Sequence, residues 1–320
     1  MTTTNCTDPN FKLLMIGAMY ENGGNTTHRL LDGHPELFVY PFESQIGTKY
    51  VNDFLSSVFP LKYRWPVFPN SAGLVELYRA IIDEEGKVRA RTPYVSKFRT
   101  ADIQLNDEER LQEFIAYLKD KPLTRPNLVA AFFVATFRAW KNYNKTGREK
   151  AYVGYSPIIG VDGHRIVEEL SPNGYVLHIL RNPFSAYADT SKRPVPLNIA
   201  HYMTGWTLNQ YYAKIYAEKY PNHFFVLRFE DIIKDPKGVL GGVLKKMGLD
   251  PSSDTLSYPS WNGTKLTEVY PWGTIRTPTP EVNLATAREL SKEQIKEIHS
   301  YTEKYLEIWG YQDIYRQISS

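Results

Sequence analysis

The sequence predicts an α/β protein. It is expected to be a three-layer fold with a central parallel sheet flanked by helices, a P-loop-like phosphate cradle after the first strand, and a large helical insertion after the second. Three observations predict this. Short continuous apolar runs such as "FKLLMIGAM" (11–19) suit strands buried on both faces, as in a parallel sheet. Segments of helical periodicity separate these runs, which is the pattern of βαβ units. The first run is followed by "YENGGNTT" (20–27), a glycine-bearing turn that opens a helix, which is the layout of an anion-binding corner.

Each element follows in chain order. After the corner, "ELFVYPF" (36–42) reads as a second strand, and from 45 to 150 the pattern is mostly helical. "NDEERLQEFIAYLKD" (106–120) puts Leu111, Phe114, Ile115 and Leu118 on one face, with Asn106 and Glu109 as an N-cap pair. "RPNLVAAFFVATFRAW" follows as a buried helix. Strands return at 151–157 and 174–183, with a short helix between them. A long helix over 197–218 precedes a strand at 223–229. Asp235 as N-cap, Pro236 at the first helical position and Gly248 past the end bracket the next helix. A capping box at Ser291 and Gln294 opens the last, which runs to about Trp309.

Composition bounds the function classes. With no internal repeat and no low-complexity linker, the 320 residues are expected to form a single domain, 1–320, with the insertion of about 45–150 covering one side of its site. A hydrophobic fraction of 42% supports a packed core and argues against disorder. A net charge of +3 without a long basic tract gives no case for nucleic acid. The single cysteine, Cys6, cannot form an intramolecular disulfide, which fits a reducing, cytoplasmic location, as does the lack of an export signal at the N-terminus. The longest apolar run, 128–137, is about half a membrane span, so a buried helix is expected rather than a crossing. No zinc-type Cys/His set is present, so no metal is expected.

Ligands of parallel sheets bind beyond the carboxyl ends of the strands. At the first such end, Gly23 and Gly24 let backbone N–H groups converge, the helix beginning near Asn25 adds its positive dipole end, and Thr26 and Thr27 add hydroxyls. This suits a phosphate, but the lysine of an ATP or GTP loop is missing. An ordinary Gly-Asn turn before a capped helix is the other reading. Arg181 stands directly at another strand end in "HILRNPFSAYADTSKRP", and Arg228, Glu230 and Asp231 follow a third; those last three read as an architectural ion-pair network.

At these residues the sequence resembles the sulfotransferase family, whose members use 3′-phosphoadenosine 5′-phosphosulfate (PAPS) as donor and leave adenosine 3′,5′-bisphosphate. The resemblance is carried by the strand, loop and "TT" of the corner followed by "RLLDGHPELFVYPFE", then "ILRNP", then "RFEDIIKDP", then a C-terminal helix ending "GY". It implies that Gly23, Gly24, Asn25, Thr26 and Thr27 bind the 5′-phosphosulfate and that Arg181 grips the 3′-phosphate, helped by Thr190 or Ser191, since Asp189 would repel a phosphate. It further implies that a loop at 270–281 closes over the nucleotide, with Trp272 on the adenine and Gly273 and Arg276 near the 3′-phosphate.

Two departures stand out. Gly23 occupies roughly the place of a basic loop residue, and Tyr155 stands where many relatives have lysine. His28, Arg29, His164 and the loop N–H groups are the candidates to meet the charge instead. The implied reaction is in-line sulfonyl transfer to a hydroxyl or amine of a small-molecule or glycan acceptor, with catalysis by positioning and charge stabilisation. Glu43, closing "VYPFES", is the expected base, with His164 as runner-up; a carboxylate that merely holds the first helix or a loop arginine is the alternative for Glu43. Tyr63, Trp65, Tyr187, Tyr202 and Trp206 are among the aromatics expected around the acceptor. The cluster Lys87, Arg89, Arg91, Lys97 and Arg99 reads as a solvated face more readily than as an anion site. A P-loop small-molecule kinase and a silent relative that binds a sulfated or phosphorylated ligand are the competing functions.

Overall fold

The computed structural model describes residues 8–268 and 279–319. Its centre is a five-stranded sheet of β1 (Leu13–Gly17), β2 (Leu37–Val39), β3 (Ala151–Tyr155), β4 (Gly174–Leu180) and β5 (Phe224–Arg228). The spatial order is β2-β3-β1-β4-β5, and every pairing is parallel. The apolar runs form strands because both faces are covered. On β1, Leu13 and Met15 enter one buried cluster, and Leu14 and Ile16 the other. β2 is shorter than its apolar run. The Tyr40 amide still donates to the Val153 carbonyl at 2.9 Å, but Pro41 has no N–H with which to continue the ladder.

The helices complete three layers. α1 (Gly24–Leu31) follows β1 directly. α2 (Leu74–Ala80), α3 (Glu84–Arg91), α4 (Asp107–Leu118) and α5 (Arg125–Ala139) lie between β2 and β3, and α6 (Gly163–Glu169) between β3 and β4. α7 (Pro183–Thr190) and α8 (Ile199–Lys219) follow β4, and α9 (Phe229–Lys234) and α10 (Pro236–Lys246) follow β5. α11 (Pro280–Ala287), α12 (Lys292–Ile308) and α13 (Gln312–Ser319) end the chain. α1 and α10 cover one face of the sheet; α5, α6 and α8 cover the other. The expected caps form: the Asn106 side chain accepts from the Glu109 amide at 3.0 Å, Asp235 from Gly238 at 2.9 Å, and Ser291 from Gln294 at 3.2 Å. Among the described residues, no helix is long and apolar enough to cross a membrane.

The segment 45–150 does two jobs. α5 is a core layer, with Phe132 and Phe133 buried in the cluster that includes Leu13 and Met15; Trp65, Tyr78 and Phe98 of the preceding stretch join that cluster, while Tyr63 and Lys97 line a cleft with Gly23 and Gly24. A short hairpin not anticipated from the sequence pairs β6 (Ser260–Trp261) with β7 (Thr264–Lys265) through Asn262 and Gly263, both at positive φ (50° and 77°). Its turn amides donate to Asp32 just past α1.

The strand order sets where a ligand can sit. From β1 the chain leaves toward β2 on one side; from β4 it leaves toward β5 on the other. The adjacent carboxyl ends of β1 and β4 therefore flank the switch point of the sheet, where the two connections part and leave a crevice.

Candidate functional site

That crevice is a cleft of about 450 Å³. Gly23, Gly24, Asn25 and Thr26 line it from the first corner, Arg181 and Asp189 from the end of β4 and α7, and Glu43, Tyr63 and Lys97 from the segment after β2. Tyr155, Arg193, Phe229 and Asn283 complete much of the wall.

The first corner is shaped by two glycines. Gly23 has φ 91°, and a Cβ there would stand 2.1 Å from the Phe229 ring. A Cβ on Gly24 would meet the Tyr155 ring at 2.4 Å. Only bare backbone fits between these rings. No side chain caps the first turn of α1, so its leading N–H groups face the cleft with the helix dipole behind them. Thr27 does not join them. It is fully buried, and its hydroxyl donates to the Gly23 carbonyl at 3.0 Å. His28 is buried beneath the corner as well, with Arg29 Nη2 2.8 Å from its Nδ1. Burial, then the adjacent Arg29 charge, hold His28 well below the usual imidazole range, so it is neutral and lines no part of the cleft. Arg29 is sequestered in an ion pair with Asp32 at 2.9 Å, over the Trp261 ring.

Asn22, which sequence reading passed over, joins the two corners. It is fully buried; its Oδ1 accepts from the Arg181 amide at 2.9 Å, and its Nδ2 donates to the Tyr20 carbonyl at 2.9 Å and the Tyr202 hydroxyl at 3.1 Å. Arg181 itself is 7% exposed. Its Nε donates to Asn283 Oδ1 at 2.6 Å, and its Nη1 to the Glu21 carbonyl at 2.9 Å and Asp189 Oδ2 at 2.8 Å. Asn283 lies on α11 and also donates to Glu230 Oε1 at 2.8 Å, which accepts from the Asn182 amide and side chain too. Tyr311 donates to the other Glu230 oxygen at 2.8 Å. Glu230 is therefore an architectural hub, as the pattern of acids after β5 indicated, and Arg228 pairs with Asp231 through two bonds at 2.8 and 2.7 Å.

On α7 the helix rotation sorts the polar residues. Asp189 faces Arg181, while Thr190, one step round, is buried and donates to the Ala186 carbonyl at 2.8 Å. Ser191 donates to the Ala188 carbonyl at 2.8 Å. Neither hydroxyl lines the cleft; the residue that does is Asp189, which sequence reading sets aside as a ligand because it would repel a phosphate.

Glu43 projects into the cleft past the end of β2. Its Oε1 accepts from Lys97 Nζ at 2.9 Å and its Oε2 from the Tyr63 hydroxyl at 3.1 Å. Burial, with Glu43 alongside, pushes the Tyr63 phenol far up, so it stays protonated and donates to Glu43. Tyr63 is held by its neighbour Arg64, which is fully buried and bonded to both Asp162 and Asp53 at 2.7–3.0 Å. His164 is elsewhere: it lies in the first turn of α6, and its Nδ1 meets the Tyr216 hydroxyl on α8 at 2.9 Å, outside the cleft. Of the aromatics named for the acceptor, Tyr63 lines the cleft, whereas Trp65, Tyr202 and Trp206 are fully buried core residues. The basic cluster splits in the same way. Arg89 turns inward onto the Phe98, Ala101 and Ile103 carbonyls, and Lys97 reaches the cleft. Trp272, Gly273 and Arg276 lie outside the described residues.

No family model matches the chain, and no curated protein does. Among solved structures, the chain is similar to the sulfotransferase domain of the olefin synthase from Synechococcus PCC 7002, at 13% identity over 88% of this chain and 95% of that one, with a TM-score of 0.45. It is similar to the sulfotransferase domain from the curacin biosynthetic pathway at 14% identity, over 92% of this chain and 97% of that one, with a TM-score of 0.46. It is also similar to the sulfotransferase STF9 from Mycobacterium avium at 12% identity, over 94% of this chain and 77% of that one, with a TM-score of 0.44. Likenesses this loose carry no argument about chemistry, which rests on the cleft's own residues.

Proposed function

We propose that this cleft binds PAPS and transfers its sulfonyl group in line to a hydroxyl or amine of a small-molecule or glycan acceptor. The observation that carries the reading is the shared cleft: the uncapped first turn of α1 and the Arg181 guanidinium, 160 residues apart by the Glu21–Arg181 contact, open on one crevice with Glu43 in its wall. A nucleotide with phosphates at both ends needs two anion sites of this kind. Backbone N–H groups of Gly24, Asn25 and Thr26 would take the 5′-phosphosulfate, and Arg181 the 3′-phosphate. In the transfer, the acceptor oxygen forms a bond to sulfur as the bond from sulfur to the 5′-phosphate oxygen breaks; the acceptor proton passes to Glu43. Tyr63 and Lys97 fix both oxygens of that carboxylate, so its orientation is set before an acceptor arrives. General-base assistance of this kind contributes about 10²–10⁴ in rate.

Thermal-shift titration with adenosine 3′,5′-bisphosphate and, separately, with ATP and Mg²⁺ tests the donor. Stabilisation by the bisphosphate supports the reading; stabilisation by ATP with Mg²⁺ alone points to a kinase and refutes it. Labelled PAPS offered to a panel of glycans, alcohols, phenols and amines then identifies the acceptor by mass spectrometry. A second reading, nucleotide binding without transfer, is favoured by the hold of Asp189 on Arg181. Glu43→Gln separates the two: turnover drops at least about 100-fold with nucleotide binding retained if Glu43 is the base.

A further inference from the structure

The first corner poses an electrostatic problem. A phosphosulfate gathers charge on its 5′ side as the sulfonyl group departs, yet residues 20–27 contain no cation. The basic residues that follow at once are taken. His28 is buried and neutral, and Arg29 is buried against Asp32. At the end of β3, beside Gly24, stands the Tyr155 ring. Arg181, assigned above to the 3′-phosphate, is bonded to Asp189, Asn283 and the Glu21 carbonyl. Lys192 is paired with Asp189 and Glu289, and Arg193 stacks over Tyr20.

Resting on the PAPS reading above, we propose that Lys97, brought in by the segment between β2 and β3, is the cation that this cleft sets against the 5′-phosphate end of the donor, in place of the lysine missing from the corner. Its backbone is held for that task. Phe98 is 3% exposed and packs edge-on against Phe42 at 4.7 Å. Phe42 immediately precedes Glu43, so two consecutive residues of one segment meet two of the other: Phe42 with Phe98 in the core, Glu43 with Lys97 in the cleft. Arg89 clamps the Phe98, Ala101 and Ile103 carbonyls at 2.6–3.1 Å. Ser96 is buried, and its Oγ accepts from the Phe98 amide at 3.0 Å. The side chain remains 33% exposed, and the hydrogen bond described for its ammonium is the one to Glu43 Oε1, at 2.9 Å. An ammonium has three donors. Lys97 lines the same cleft as Gly23, Gly24, Asn25 and Thr26. The lysine thus bridges base and donor. It holds Glu43 in place and donates hydrogen bonds from its remaining N–H groups to the 5′-phosphate oxygens, including the one from which sulfur departs.

Titration calorimetry of the full chain with adenosine 3′,5′-bisphosphate and with adenosine 3′-phosphate tests this without knowledge of the acceptor. Lys97→Met is expected to weaken the bisphosphate about tenfold or more, the value of one charge-assisted hydrogen bond, and to leave the 3′-phosphate within about twofold. Lys97→Arg should restore most of the loss. Glu43→Gln, which releases the ammonium from its carboxylate, should tighten the bisphosphate, and that gain should vanish in the double variant with Lys97→Met. Equal weakening of both ligands, no weakening, or a Glu43→Gln gain that survives without Lys97 overturns the assignment while leaving the nucleotide reading intact. If the unsubstituted chain binds neither ligand, the nucleotide reading fails and this inference with it.

Discussion

The corners after β1 and β4 have the same local plan, a parallel strand turning into a helix beside the switch point, yet they offer opposite chemistry. The helix after β4 is closed: Asn182 caps it, accepting from the Ser185 amide at 2.9 Å, and Pro183 occupies its first position. Its contribution to the cleft is a side chain, Arg181. The helix after β1 is open: Gly23 has no side chain to cap with, and the leading N–H groups are left for a ligand. One corner presents backbone dipoles in a fixed cradle; the other presents a full charge held by Asn283, Asp189 and the Glu21 carbonyl. On the proposed reading, the helix without a side-chain cap takes the anion. A lysine or arginine side chain at Gly23 would collide with Phe229, so on that reading the cation comes from another segment, at Lys97.

Substitutions can break this contrast. The largest effect is expected from Gly23→Ala. It combines a left-handed backbone with a methyl 2.1 Å from the Phe229 ring, so about 2–4 kcal/mol of stability should be lost, together with nucleotide binding. Urea unfolding and calorimetry check both, and a variant with full stability and affinity would remove the cradle from the account. Next, Arg181→Ala should weaken adenosine 3′,5′-bisphosphate by about 10–100-fold, the range of a hydrogen-bonded charge, while adenosine 5′-phosphate changes little. Loss of both ligands alike would show that Arg181 only holds the corner together.

Acid sharpens the comparison from beneath, since each corner is backed by a buried histidine: His28 on α1, and His178 on β4, bonded to Gln210 at 3.1 Å. Burial pushes His178 down to about 4. Above about pH 6.5 the histidine is neutral in both folded and unfolded chains and adds no pH dependence. Between about 6.5 and 4 only the unfolded chain takes up the proton, so stability falls as the pH falls, by up to about 1.4 kcal/mol per pH unit for this residue. Below about 4 its penalty is constant. Urea unfolding at a series of pH values should show the slope, and His178→Gln should reduce it. The smallest effect is expected from Asp189→Asn. Relieved of a carboxylate that competes for Nη1, Arg181 should bind adenosine 3′,5′-bisphosphate a few-fold more tightly, roughly a surface-pair energy. Weaker binding would mean instead that Asp189 is needed to orient the guanidinium.

Much of this was legible in the chain because it is local. Apolar runs became strands, and Asn106, Asp235 and Ser291 became caps, since each depends on neighbours three or four residues away. The corner glycines and Arg181 were visible because strand ends of a parallel sheet share one edge. Other readings needed angles that a sequence states only coarsely. Thr190 and Asp189 differ by about 100° around one helix, and that rotation exchanged the expected ligand for an acid. His28 looked available because titratable type is plain in a sequence and burial is not; His164 looked available although its ring faces Tyr216 on α8 rather than the cleft.

The sequence by itself determined the alternation of strands and helices, their caps, the glycine corner and the guanidinium at a strand end, because chain connectivity and local sterics suffice for those. Only the tertiary structure decided that Asn22 ties the two corners, that Asp189 occupies Arg181, and that Lys97 meets Glu43 across 54 residues. Those contacts join segments far apart in the chain. Their geometry is set by how whole layers dock, a collective outcome of packing that no short stretch of residues encodes.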